Sequence, residues 1–71
     1  MHLDLSYPVF ERMQTLGISD AMVAQALNAP VHVRRLPLSQ RRSYYCEFAG
    51  RTLRVMTTLD ERVLTVSWTA H

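Results

Sequence analysis

The chain has 71 residues, 48% of them hydrophobic, and a formal charge of +2. A domain of this length buries only about 60% of the surface its unfolded chain exposes, so it holds one core and has no room for a second domain or a large cofactor pocket. Cys46 stands alone and excludes an internal disulfide, His2, His32 and His71 lack the spacing of zinc ligands, there is no Gly-rich phosphate loop, and no apolar run approaches a membrane span.

The first half reads as two short helices. Ser6 is placed to cap the first, over about residues 7–16, with Pro8 in its first turn. Val9, Phe10, Met13 and Leu16 give it one apolar face, and Gly17 supplies the left-handed residue that ends it. Ser19 caps the second helix, which runs to residue 28. Ile18 and Val23 have the spacing of a hydrophobic staple, and Pro30 stops the helix.

The second half reads as strands at about 31–37, 42–49, 51–58 and 62–69. Residues 42–49 alternate, with Tyr44, Cys46 and Phe48 on one face and Ser43, Tyr45 and Glu47 on the other. Ala49-Gly50 is a tight hairpin signal. In the third strand Leu53, Val55 and Thr57 oppose Thr52, Arg54 and Met56; in the fourth, Leu64, Val66 and Trp68 oppose Val63, Thr65 and Ser67. Two helices followed by an antiparallel meander predict a single α+β domain. The helices are expected over Phe48, Val55, Val66 and Trp68. Pairing of neighbouring strands then brings Tyr45, Arg54 and Thr65 together on the opposite face, subject to register.

The cations are eight Arg and no Lys. Codon composition can account for Arg in place of Lys, but not for where the residues fall. Arg34, Arg35, Arg41, Arg42, Arg51 and Arg54 lie within residues 34–54 against Glu47 alone, while the flanking segments carry a small negative balance. Such a block suits a polyanion, most simply RNA. RNA carries its own nucleophile in the 2′-OH. A metal-free ribonuclease therefore needs a proton acceptor, a proton donor and a cation for the crowded phosphate. Arg54 is a candidate for the cation, Tyr45 or Glu47 for proton transfer, and Thr65 for holding a phosphate oxygen. Arg34, Arg35, Arg41, Arg42 and Arg51 would supply docking charge, and Tyr44 or Tyr45 a stacking surface for an unpaired base. The competing readings are a non-catalytic RNA-binding module and a homodimeric protein-interaction domain. Cross-strand pairing on a solvated sheet face would account for Tyr45, Glu47 and Arg54 without any ligand.

The runs Phe10-Glu11-Arg12-Met13, Gly17-Ile18-Ser19, Asn28-Ala29-Pro30, Arg41-Arg42-Ser43-Tyr44-Tyr45, Leu53-Arg54-Val55 and Val63-Leu64-Thr65-Val66 follow one pattern across residues 7–68. In their order and spacing they resemble an uncharacterised bacterial small-domain family grouped with RelE/ParE-type toxins and colicin-type ribonuclease toxins. The resemblance implies a RelE-like fold, metal-independent endoribonuclease activity in a toxin–antitoxin setting, and an antitoxin or immunity protein as partner. By position, Arg12 matches the basic residue of the first helix, Arg54 that of the central strand, and Thr65 the hydroxyl of the last strand. The chain departs from the pattern at Pro8, where a His often stands, and at Leu16, where an Arg often precedes Gly-Ile-Ser. Loss of that His removes the usual proton shuttle. The expectation is a cytoplasmic protein with no metal, no cofactor and no membrane association.

Overall fold

The computed structural model describes residues 6–69. Helix α1 spans Tyr7–Leu16 and α2 Asp20–Asn28; four strands follow, β1 His32–Leu36, β2 Arg41–Phe48, β3 Arg51–Thr58 and β4 Val63–Thr69. The strands form one antiparallel sheet in the order β1-β2-β3-β4.

Local chemistry sets the helix ends. Gly17 sits at φ 72°; its N–H reaches Gln14 O, and the Ile18 N–H bonds Met13 O at 2.8 Å, closing the last turn of α1. Ser19 caps α2 by accepting from the Met22 N–H at 3.2 Å, while the Ser19 N–H donates to Met22 Sδ, so a thioether stands in for the usual carboxylate of a capping box. Ile18 and Val23 are both buried, as a staple requires. Ser6 is the N-cap of α1 by position, but its side chain makes no capping bond.

The core is a single cluster. Val9, Met13, Ile18, Val23 and Ala26 from the helical half join Tyr44, Cys46, Leu53, Val55, Val63 and Val66, with Phe48 and Trp68 packed against it. The sheet residues follow from register: Tyr44 faces Val55, which faces Val66, and Cys46 faces Leu53, which faces Trp68. Cys46 is a small core residue, with the Gln25 amide 3.9 Å from its sulfur.

Three strand assignments differ from the sequence pattern: β2 runs Arg41–Phe48 in place of 42–49, and β1 and β4 depart as follows. Val31 and Pro37 fall outside β1, although the Val31 N–H still donates to Tyr45 O at 2.8 Å. In β4 the expected alternation breaks. Met56 pairs with Thr65 but Thr57 pairs with Val63, so Leu64 is the extra residue of a β-bulge. The bulge turns Val63 onto the core face, where it is buried, and leaves Leu64 half-buried.

Candidate nucleic-acid interface

The face opposite the helices is ordered in rows by the register. One row runs His32, Tyr45, Arg54, Ser67 from β1 to β4, and the next runs Arg34, Ser43, Met56, Thr65. Arg41 shares this face, two residues from Ser43 along β2. Tyr45 and Arg54 are therefore direct cross-strand neighbours. Thr65 lies on the same face but opposite Met56; Ser67 takes the position beside Arg54. The bulge at Leu64 lies between the β3–β4 turn and both residues, so it shifts their register by one and, with the turn, sets Ser67 beside Arg54.

This face is only partly open. Ser43 is fully buried and Thr52 nearly so. Arg54 lies over Ser43, with Nε donating to Oγ at 3.4 Å, and is itself half-buried. Its stem is thus held against the sheet. His32 and Tyr45 present rings 5.6 Å apart at an interplanar angle of 37°. Glu47 is exposed and pairs with Thr52, one row beyond Tyr45.

The other named residues lie elsewhere. Tyr44 is 7% exposed in the core, so burial takes it out of reach of a base, and Tyr45 is the tyrosine left for stacking. Arg12 is on α1, and its Nε donates to Val66 O at 2.7 Å, tying the helix to β4 instead of joining Arg54. Arg51 stacks on Trp68, its guanidinium carbon 3.9 Å from the ring centroid, on the face that carries the helices. Arg35 and Arg42 face one another across β1 and β2, on that same side of the sheet, and line a groove at its end with Arg41. Among the described residues no carboxylate lies in ion-pair contact with Arg34, Arg35, Arg41 or Arg42. No group of His, Cys, Asp and Glu among them is arranged to hold a metal ion, and no helix is long and apolar enough to cross a membrane.

His32 is the residue that sequence reasoning passed over. Weighed only as a metal ligand, it has no partners in the sequence. The available signal was strand alternation in β1: pairing β1 with β2 through the short turn places His32 in the row of Tyr45 and Arg54.

No family model, curated protein or solved structure matches the chain.

Proposed function

We propose that this chain is an RNA-directed protein of toxin type, a metal-independent endoribonuclease working in the cytoplasm, with the row His32–Tyr45–Arg54–Ser67 as its site. The observation that carries the reading is the convergence, on one sheet face, of a half-buried Arg, a Tyr–His ring pair and flanking Arg34 and Arg41, which form no ion pair with a carboxylate among the described residues. An unpaired base stacks on Tyr45, and the neighbouring phosphate meets Arg54. His32 takes the 2′-OH proton as that oxygen attacks phosphorus, and the departing 5′-oxygen receives a proton from water. The products are a 2′,3′-cyclic phosphate and a 5′-hydroxyl. Imidazole suits the proton transfer near neutral pH, and a preorganised guanidinium stabilises the charge that develops on phosphorus. The helical N-terminal half over a four-stranded sheet is consistent with a RelE-like arrangement, and an acidic antitoxin would find its complement in the same face.

Purified protein incubated with single-stranded RNA tests this. Wild type is expected to bind with strong salt dependence and to cleave. His32→Gln keeps binding and loses cleavage, while Arg54→Ala loses both and stays folded. Binding without cleavage on long incubation favours a non-catalytic RNA-binding module. Absence of binding at low salt, with a stable dimer in solution, sinks the RNA reading in favour of a protein-interaction domain.

A further inference from the structure

The groove at the turn end of the sheet shares Arg41 with the face just described but contains no residue of the row His32, Tyr45, Arg54, Ser67. It has a volume of about 390 Å³ and takes three arginines, Arg35, Arg41 and Arg42, with an apolar wall of Leu36, Pro37 and Leu59. That volume lies within the ~300–1,000 Å³ usual for small-ligand sites. No carboxylate lines it. The nearest acid along the chain from Leu59 is Asp60, which lines the neighbouring groove and is engaged by the Thr58 hydroxyl.

Arg35 and Arg42 are register partners in adjacent antiparallel strands. Directly opposed side chains of like charge destabilise a sheet. Here Arg41 adds to the repulsion; it shares the neighbouring groove with Asp60, but no carboxylate among the described residues forms an ion pair with Arg35, Arg41 or Arg42. Arg42 is also half-buried, which limits how far solvent can screen it. An arrangement of this kind is balanced by an anion held between the guanidinium groups, each of which offers a planar fork matched to phosphate oxygens.

We infer that this groove binds a phosphomonoester. The charge balance selects the monoester over the diester. A backbone phosphodiester brings one negative charge, whereas a monoester carries about −1.5 to −2 near neutral pH and offers three acceptor oxygens. The apolar wall then meets the organic group that carries the phosphate. Two sources share this chemistry: a free phosphate or mononucleotide, and the phosphorylated end of an RNA strand. The strand-end source rests on the RNA reading above; the phosphomonoester site does not.

The test has two arms. In the first, thermal unfolding is followed in inorganic phosphate and in chloride at matched ionic strength. Phosphate is expected to raise the midpoint of the wild type. Arg42→Gln and Arg35→Gln should unfold no earlier than wild type in chloride, because the repulsion is relieved, and should lose the phosphate response. In the second, a non-cleavable 2′-O-methyl oligonucleotide with a 5′-phosphate is expected to bind roughly tenfold more tightly than its 5′-hydroxyl counterpart. Arg42→Gln should erase the difference, and Arg54→Ala should weaken both oligonucleotides alike. A phosphate response with no oligonucleotide binding identifies the free ligand as the source and removes the RNA reading alone. A wild type without a phosphate-specific shift, or an Arg42→Gln variant that keeps it, overturns the site.

Discussion

The indole Nε1 of Trp68 donates a hydrogen bond to the carbonyl oxygen of Leu16, 2.9 Å away and 52 residues earlier in the chain. Leu16 is the last residue of α1, whose final carbonyls have no partner within the helix. The bond is answered in the opposite direction by Arg12, which reaches from α1 to the Val66 carbonyl of β4. Helix and edge strand therefore each satisfy a backbone group of the other, and both bonds hold α1 against the end of the sheet.

Trp68→Phe keeps most of the apolar volume and removes the donor. It leaves the partly buried Leu16 carbonyl without its partner and takes away the better ring for the Arg51 stack. Urea denaturation is expected to give a loss of about 1–3 kcal/mol. A change near zero would mean that water replaces the indole at no cost.

Thr57 lies on the core face of β3, fully buried, and its hydroxyl finds no hydrogen-bond partner among the described residues. Val is nearly the same shape without the polar atom. Thr57→Val should therefore stabilise the fold by about 1–3 kcal/mol, the cost of leaving a buried polar group unmade. The midpoint of thermal unfolding rises if this is correct; a fall would reveal a bond that the hydroxyl makes.

The β2–β3 turn has Ala49 at φ 51° and Gly50 at φ 79°, the two left-handed residues of a tight hairpin. Gly50 adopts this geometry freely, whereas the Cβ of Ala49 costs roughly 1 kcal/mol there. Asn tolerates the conformation through its own backbone contacts. Ala49→Asn is expected to stabilise by about 0.5–1 kcal/mol without altering the far-ultraviolet dichroism spectrum.

The β3–β4 turn holds an acid-sensitive link. The Thr58 hydroxyl donates to Asp60 Oδ1 and accepts from the Arg62 N–H at 3.1 Å. The Thr58 bond, then the Asp60 backbone N–H, and to a lesser degree the charge of Arg62, hold the Asp60 carboxyl below its ordinary 3.8, against a small opposing effect of desolvation. A folded value below the unfolded one means that the stabilisation is complete above pH 3.8 and is lost as pH falls through the lower folded value. Comparison of wild type with Asp60→Asn across acid pH should show a constant gap at neutral pH that closes in strong acid. The group is exposed, so the effect is small and is best read as the difference between the two curves.

The elements with local causes were legible in the amino-acid sequence. Gly17, the Ser19 cap and the Ile18–Val23 staple bracket the helices through contacts within a few residues, and Ala49-Gly50 fixes the central hairpin by backbone geometry alone. Alternation in β2 and β3 separated core from opposite face correctly, because an antiparallel strand over a single core has a strict period of two. The candidate site was legible to the same extent: Tyr45 and Arg54 are joined by the one turn that the sequence specifies tightly.

What lay beyond that turn needed the assembled sheet. The bulge at Leu64 depends on how β4 fits against β3, and it brings Val63 into the core against the local pattern. Ser67 in place of Thr65 beside Arg54, and His32 beside Tyr45, are outcomes of register between strands, which no single strand encodes. The basic block was visible as a composition, but its division was not. Arg51 is stacked on an indole, Arg54 is laid over a buried serine, and Arg35, Arg41 and Arg42 are gathered at one groove. The linear sequence determined that this chain carries a cationic strand segment on a small α+β core. Tertiary packing determined which cations are engaged and which remain available to an anion, because that depends on neighbours brought together across strands.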